Sequence, residues 1–162
     1  MGKLKIISGG QTGADIGALT AARELGLETG GTAPRGWMTE EGPRETVLRG
    51  FGLVEAEAEG YAPRTRANVA NADGTLLIGQ YETGGSALTY ITATELNKPL
   101  FHVPFSARPE EPLDETAKRF RSWLTQHNVK TLNVAGDRES ASPGIGEFAR
   151  NFLLGALNVF DD

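Results

Sequence analysis

The chain alternates short apolar runs with longer stretches in which apolar residues recur at every third or fourth position. The run at residues 4–7 predicts a buried strand, and the spacing of Ile16, Leu19 and Ala22 predicts a helix directly after it. Further strands are predicted at residues 28–33, near Leu53, and at residues 75–78, 100–103 and 131–135. The chain therefore repeats one strand-to-helix unit along most of its length.

Helical patterns fill most of the stretches between these strands. Helices are predicted at residues 63–72, after Gly84 and Gly85, from about residue 112, and after Ser142 and Pro143, which we expect to cap the last helix. Residues 37–52 are polar and show no clear period, so they predict a long loop. Strands that alternate with helices favour a mostly parallel sheet with helices on both faces. The predicted fold is therefore a three-layer α/β domain, and 162 residues fit one such domain over residues 1–162.

A glycine turn joins the first strand to its helix at residues 8–15. Gly9, Gly10 and Gly13 let the main chain approach a ligand closely, and the positive end of the helix dipole favours an anion there. Glycine and small polar residues also follow two later strands, at residues 79–85 and 136–144. Because the carboxyl ends of parallel strands lie on one edge of a sheet, we expect the three segments to converge on one crevice that binds phosphate.

The first glycine turn does not match either of two well-known phosphate-binding motifs. A Walker A loop needs Gly-Lys-Ser/Thr, whereas Gly13 is followed by Ala14 and Asp15, which argues against ATP hydrolysis. The dinucleotide fingerprint needs glycine at the position of Ser8, so a nicotinamide cofactor has little support. The remaining alternative is that these glycines only make a tight turn.

The charge and composition of the chain limit which partners it can bind and in which cellular compartment we expect it. The net charge of −5 opposes non-specific attraction to nucleic acid or to an anionic membrane, so we expect neither as a partner. The chain has no cysteine and two histidines, so no metal site is predicted. No apolar run approaches the roughly 20 residues that span a bilayer, and no signal-length apolar core precedes the first strand. We therefore expect a cytoplasmic protein.

Several motifs resemble those of one family. They are IISGGQTGAD at residues 6–15, Pro34-Arg35-Gly36, Glu41-Gly42-Pro43, Arg64-Thr65, Asn68, Asp73-Gly74-Thr75, Thr83-Gly84-Gly85 and Asn133-Val134-Ala135-Gly136. In these residues and their order, nearly the whole chain resembles the molybdenum cofactor carrier family, a circularly permuted branch of the YpsA group. The wider Rossmann-like superfamily includes DprA and the cytokinin-activating proteins that resemble lysine decarboxylases.

This resemblance implies a Rossmann-like domain that binds a phosphorylated, nucleotide-like or pterin-like ligand at the strand ends, in a homo-oligomer. The favoured ligand is molybdenum cofactor or molybdopterin. A carrier of that cofactor needs no cysteine, because the cofactor brings its own dithiolene sulfurs to the metal. The expected function is a non-catalytic binding or carrier protein, and a nucleotide-sensing regulatory protein is an alternative.

The candidate ligand-binding residues lie in the glycine loops and beside them. The guanidinium groups of Arg35 and Arg64 suit phosphate binding, Arg64 by a bidentate contact. The full set is Gly9, Gly10, Gln11, Thr12, Gly13, Arg35, Arg64, Asn68, Thr83, Gly84, Gly85 and Ser86. We interpret Asp15 as a carboxylate that stabilises the first turn of its own helix, and Trp37 as an aromatic that stacks on a heterocycle or serves an interface.

Cleavage of an N-glycosidic bond needs a carboxylate that this sequence lacks at the corresponding position. The cytokinin-activating relatives carry Pro-Gly-Gly-x-Gly-Thr-x-x-Glu, in which the glutamate serves cleavage of an N-glycosidic bond. Aligned on Thr83-Gly84-Gly85, this motif places Ile91 at the glutamate, and an isoleucine cannot transfer a proton. We therefore expect no phosphoribohydrolase activity, and a hydrolase of another nucleotide-like substrate is the alternative function.

Overall fold

Six parallel strands form the central sheet of the computed structural model, which describes residues 3–158. The strands are β1 (Lys5–Ile7), β2 (Glu28–Ala33), β3 (Met38–Thr39), β4 (Gly42–Pro43), β5 (Leu53–Glu55), β6 (Gly74–Ile78), β7 (Leu100–Val103) and β8 (Thr131–Gly136). The sheet has the order β5-β2-β1-β8-β6-β7, and β3 with β4 forms a separate antiparallel hairpin. The predicted α/β class with a mostly parallel sheet is confirmed.

Helices connect these strands along the described part of the chain. They are α1 (Ala14–Glu24), α2 (Glu45–Gly50), α3 (Tyr61–Asn71), α4 (Gly84–Glu95), α5 (Leu113–Gln126) and α6 (Ile145–Leu157). Every predicted strand is present, and β2 and β7 have the predicted bounds. Within residues 3–158 no helix is long and apolar enough to cross a membrane.

Helices cover both faces of the sheet. On one face, Leu76 and Leu132 pack into a core with apolar residues of α1, α5 and α6. The alternate strand residues Thr75, Leu77 and Asn133 are also buried, and because neighbouring strand residues point to opposite faces, the second face must be covered as well. There α3 packs against α4 and contacts β2 and β8. The carboxyl ends of β1, β8 and β6 therefore lie side by side between two helical layers.

The segment predicted as a long loop contains regular structure. Residues 37–52 include the hairpin of β3 and β4 and the helix α2, which has six residues. A helix of this length is too short to show a period, and its one buried residue is Leu48. Trp37 is only 5% exposed and packs in the same cluster as Leu48, so its ring does not face a ligand or a partner as we expected.

The start of α6 also differs from the prediction. The helix begins after Gly144, whose φ of 92° is left-handed, and not at a cap made by Ser142 and Pro143. The carboxylate of Glu139 accepts hydrogen bonds from the amides of Gly144 (2.6 Å) and Gly146 (3.0 Å). An acid six residues before the first residue of the helix thus satisfies amides at its start, which a local capping pattern does not reveal.

Helices α1 and α6 approach each other at a pair of glycines. A Cβ atom on Gly17 would lie 2.2 Å from the carbonyl oxygen of Gly146. This distance is too short for any side chain at position 17. Gly155, also helical, lies in open space, where an added Cβ has no atom within 4 Å.

Replacement of these two helical glycines by alanine should have opposite effects on stability. Gly17→Ala must push α1 from α6 and should lower the free energy of unfolding by about 1–3 kcal/mol. Gly155→Ala should raise it by about 0.5–1 kcal/mol, because alanine loses less backbone entropy in a helix. Urea unfolding followed by circular dichroism measures both. A Gly17→Ala variant as stable as the wild type would contradict the close approach of the two helices.

Candidate functional site

The three glycine segments meet at the carboxyl ends of β1, β8 and β6, as predicted. The amide of Ala14 donates to the carbonyl oxygen of Asp137 (3.2 Å), which joins the first segment to the third. The side chain of Gln80 donates to the Asp137 carboxylate (3.0 Å), which joins the second segment to the third. A Cβ atom on Gly79 would lie 2.7 Å from that carboxylate, so this contact requires glycine. Asp137 therefore lies at the centre of the crevice.

The first glycine loop uses its backbone amides within the protein. Gly10 donates to Ser8 Oγ (3.2 Å), Gln11 to Asp15 Oδ2 (3.1 Å), and Thr12 to Gln11 Oε1 (3.1 Å). The Asp15 carboxylate therefore holds the loop that precedes α1, and whether it also stabilises the first turn of its helix stays a prediction. The part that Gly9, Gly10 and Gly13 play in binding a ligand stays a prediction.

Asp15 and Arg64 form a buried ion pair beside this loop. Asp15 Oδ2 lies 3.4 Å from Arg64 Nη1, and Asp15 is 2% exposed. A Cβ atom on Gly9 would lie 2.0 Å from Arg64 Nη1, so the guanidinium reaches Asp15 only because residue 9 is glycine. Burial raises the pKa of the Asp15 carboxyl to about 6, although the positive charge of Arg64 opposes this shift.

Two buried nitrogen atoms beside the loop have no hydrogen-bond partner among the described residues. They are Arg64 Nε and Gln11 Nε2. The Gln11 side chain is otherwise engaged, because its Oε1 accepts from the amides of Thr12 and Glu40 (2.8 Å for Glu40). Buried donors are almost always satisfied by protein, water or ligand. A water or a ligand oxygen is therefore the expected partner of these two atoms.

The second glycine loop leaves the start of α4 open. Gln80 Oε1 shapes the loop by accepting from the amides of Glu82 (2.6 Å) and Thr83 (3.0 Å). Thr83, the residue before the helix, makes no side-chain cap. Gly84 and Gly85 are exposed, and an added Cβ on either would meet no atom within 4 Å. A helix of twelve residues thus presents its positive end to the crevice without a carboxylate.

Other predicted site residues have contacts of their own. Ser86 is buried in the first turn of α4. The side-chain amide of Asn68 accepts from the backbone N–H of Thr32 (2.8 Å) and donates to the carbonyl oxygen of Thr32 (3.0 Å). These two hydrogen bonds tie α3 to β2. Arg35 is exposed and donates to the carbonyl of Glu57 (3.2 Å). Whether Arg35, Asn68 and Ser86 also contact a ligand stays a prediction.

Sequence reasoning missed several residues at the mouth of the crevice. The guanidinium carbons of Arg64 and Arg138 each lie 5.6 Å from the centre of the Tyr61 ring, so two cations flank one aromatic. The Glu40 carboxylate accepts hydrogen bonds from the hydroxyls of Thr12 and Ser140. Glu40 and Ser140 are 100 positions apart, so no local motif connects them.

The chain belongs to the circularly permutated YpsA SLOG family, whose profile matches residues 6–157. The family resemblance that the motifs carry is therefore confirmed. Among solved structures, the chain is similar to one named "Putative molybdenum carrier protein" from Syntrophus aciditrophicus SB. The two sequences are 36% identical, the match covers 96% of this chain and 95% of the other, and the TM-score is 0.87.

A second solved structure gives only a weak match. It is (E)-4-hydroxy-3-methyl-but-2-enyl diphosphate reductase, at 16% identity and a TM-score of 0.38 over 94% of this chain and 59% of the other. A similarity at this level says nothing about the fold or function of this chain. No curated protein matches the sequence.

The raised pKa of Asp15 should make its effect on stability depend on pH. Between the ordinary value of 3.8 and about 6, the folded protein holds a proton that the unfolded chain has lost. The Asp15 contribution to the free energy of unfolding is therefore greatest below about pH 4 and declines as pH rises through 6, by on the order of 2–3 kcal/mol.

Asp15→Asn cannot titrate, so it isolates this contribution. The free energy of unfolding of the wild type minus that of the variant should fall steadily between about pH 4 and pH 7. Urea unfolding of both proteins at each pH measures the difference. A difference that stays constant, or that grows with pH, would show that Asp15 is not a buried carboxyl of raised pKa.

Proposed function

We propose that this protein is a non-catalytic binding or carrier protein for a phosphorylated heterocyclic ligand, with molybdenum cofactor or molybdopterin as the favoured ligand. The observation that carries the proposal is the open start of α4 beside two buried donors without partners, Arg64 Nε and Gln11 Nε2. The family supports the proposal, as does the name of the similar solved structure, "Putative molybdenum carrier protein".

The residues of the crevice suit a phosphate group. Exposed amides at Gly84 and Gly85 and the positive end of the α4 dipole favour an anion. Helices α3 and α4 each follow a parallel strand of the sheet, so Arg64, in the first turn of α3, and the start of α4 lie at the same edge of the sheet. In this proposal the phosphate binds at the start of α4, and the rest of the ligand extends toward Gln11 and Arg64. A molybdenum atom would be cargo, held by the dithiolene sulfurs of the ligand.

A second candidate function, hydrolysis of a nucleotide-like substrate, is favoured by one observation. The carboxyl of Asp15 has a pKa near 6, which is common among catalytic acids and bases. We prefer the binding role because Asp15 is already paired with Arg64 and with the amide of Gln11. The residue aligned with the catalytic glutamate of the cytokinin-activating proteins, Ile91, is 49% exposed and apolar.

Substitutions at the two halves of the crevice should weaken ligand binding. Arg64→Ala removes a charged donor and should reduce affinity about ten- to hundredfold, equivalent to roughly 1.5–3 kcal/mol. Gly85→Asp places a negative charge where it stabilises the helix but repels phosphate. Arg66→Ala removes an exposed arginine of the same helix and serves as the matched control.

Thermal shift with molybdenum cofactor, molybdopterin, nucleotides and ADP-ribose-like compounds measures the effect, because a ligand that binds only the folded state raises its stability. Molybdopterin ligands should raise the melting temperature of the wild type more than that of Arg64→Ala or Gly85→Asp. Arg66→Ala should behave as wild type. Equal shifts in all variants would place the phosphate elsewhere. Release of free base from nucleoside monophosphates that disappears in Asp15→Asn would favour the hydrolase.

We also propose that α4 mediates a homo-oligomer. The helix buries the small or polar residues Ser86, Thr89, Thr92 and Ala93 against the protein. The large apolar residues Tyr90 and Ile91 of α4 and Leu96 directly after it are exposed, and the Tyr90 ring stacks on the exposed Tyr81 at 4.9 Å. Glu95 is the only charged residue of α4. A second copy with the same uncharged apolar face is therefore the partner that fits best.

A charge on this face should separate the subunits. Light scattering after size exclusion should give a multiple of 17.3 kDa for the wild type and 17.3 kDa for Ile91→Lys. Val47→Lys, which charges an exposed apolar position on α2, is the control and should keep the wild-type mass. A wild-type mass that survives in Ile91→Lys would exclude α4 as the interface.

A further inference from the structure

The hairpin of β3 and β4 places a carboxylate in a pocket of hydrogen-bond donors at the mouth of the crevice. The donors to Glu40 are the hydroxyl of Thr12, the hydroxyl of Ser140 and the amide of Ser140 (3.1 Å). Thr12 belongs to the first glycine segment and Ser140 to the third. The Glu40 side chain therefore connects both segments to the hairpin.

The pocket is built for an anion. The Thr12 hydroxyl oxygen accepts from the amide of Glu139 (3.1 Å), which turns the hydroxyl hydrogen toward Glu40. The hydrogen bond from Ser140, with further help from Thr12 and the charge of Arg138, lowers the pKa of the Glu40 carboxyl, so the group is anionic at neutral pH. Hydrogen bonds from hydroxyl and amide groups suit any oxyanion, whether it is a carboxylate or a tetrahedral group.

A further donor lies next to the same pocket. The side-chain oxygen of Gln11 accepts from the backbone amide of Glu40 (2.8 Å), while its Nε2 is buried without a partner. The Glu40 carboxylate accepts from three donors and not from this nitrogen, and its two oxygens lie in one plane, whereas a tetrahedral oxyanion presents oxygens in further directions. The pocket therefore holds more donors than the Glu40 carboxylate satisfies.

We propose that Thr12, Ser140 and Gln11 form an oxyanion subsite in which Glu40 is a built-in competitor, so that a bound tetrahedral oxyanion displaces the Glu40 carboxylate and loosens the hairpin. The inference rests on the proposed function in taking this crevice as an anion site. It adds a second subsite, whose donors Thr12 and Ser140 are different from the Asp15 and Arg64 pair. Such a subsite suits a ligand that carries a phosphate and a second oxyanion. An oxometalate group is one example of such a second oxyanion.

Besides the Glu40 carboxylate, the hairpin is held by the buried Thr39 and by the Glu40 amide, which donates to Gln11 Oε1 (2.8 Å). Each of its strands has two residues, and Met38 and Glu41 are exposed. Its internal bonds, from Thr39 Oγ1 to the Gly42 carbonyl (2.8 Å) and from the Glu41 amide to Thr39 Oγ1 (3.1 Å), hold the turn together without tying it to the sheet. The Glu40 amide still donates to Gln11 Oε1 (2.8 Å), so displacement of the Glu40 carboxylate would loosen the hairpin tip rather than detach it.

Binding of inorganic phosphate and of molybdate to matched variants tests the proposal. Glu40→Gln and Glu41→Gln each remove one negative charge from the same turn, so a general effect of charge is equal in both. A tethered group competes at an effective concentration on the order of millimolar, so Glu40→Gln should bind these ions about tenfold or more tightly than the wild type. Glu41→Gln should bind as the wild type does.

Two further measurements locate the effect. Adding Ser140→Ala to Glu40→Gln should reverse the gain, because it removes a donor of the subsite. Hydrogen exchange at the Glu40 amide should become faster when phosphate is added to the wild type and should already be fast in Glu40→Gln. Titration calorimetry and exchange measured by NMR provide the two readouts.

Several outcomes would overturn the subsite. They are no binding of either ion by Glu40→Gln, weaker or unchanged binding by it, or an equal gain in Glu41→Gln. A gain that persists in the double variant would place the ions elsewhere. These results are independent of the thermal-shift panel: failure of every pterin and nucleotide ligand there would reject the proposed function, while inorganic ions would still report on the pocket.

Discussion

A buried carboxylate at the start of α1 is the constraint on which the crevice depends. Asp15 accepts from the amide of Gln11 and pairs with Arg64, so it fixes the first glycine loop and attaches α3 to it. Burial makes this charge costly, which is why its pKa rises even beside a guanidinium. Gly9 is required because the guanidinium passes directly over it. The loop thus has its shape before any ligand arrives.

The other carboxylates of the crevice also accept hydrogen bonds from loop residues and so hold the loops in place. Asp137 accepts from Gln80 and from the hydroxyl of Ser142, and so joins two loops. Glu139 satisfies the first amides of α6, and Glu40 occupies donors from the first and third loops. Of the three helices that follow β1, β8 and β6, α1 has Asp15 in its first turn, α6 has Glu139 on its first amides, and α4 has no carboxylate at its start among the described residues. The start of α4 is therefore open.

The sequence was informative where the controlling interactions are local. Short apolar runs located the strands other than β2, which was placed by the glycine and proline on either side of it, and parallel topology then predicted correctly that three glycine segments meet at one edge. The helix α2 and the hairpin of β3 and β4 escaped detection because each is too short to show a period. The Glu40 contacts and the capping of α6 by Glu139 were missed for a different reason. Both depend on side chains that the fold brings together, and neither leaves a local pattern.

A crystal structure of the protein with a bound phosphorylated pterin tests the central claim most directly. The account predicts phosphate oxygens within hydrogen-bond distance, roughly 2.7–3.2 Å, of the amides of Gly84 and Gly85. It also predicts that Arg64 Nε or Gln11 Nε2 donates to another atom of the ligand. A pterin bound instead in the groove lined by His102, Arg119 and Trp123, or a phosphate that contacts neither glycine, would contradict it.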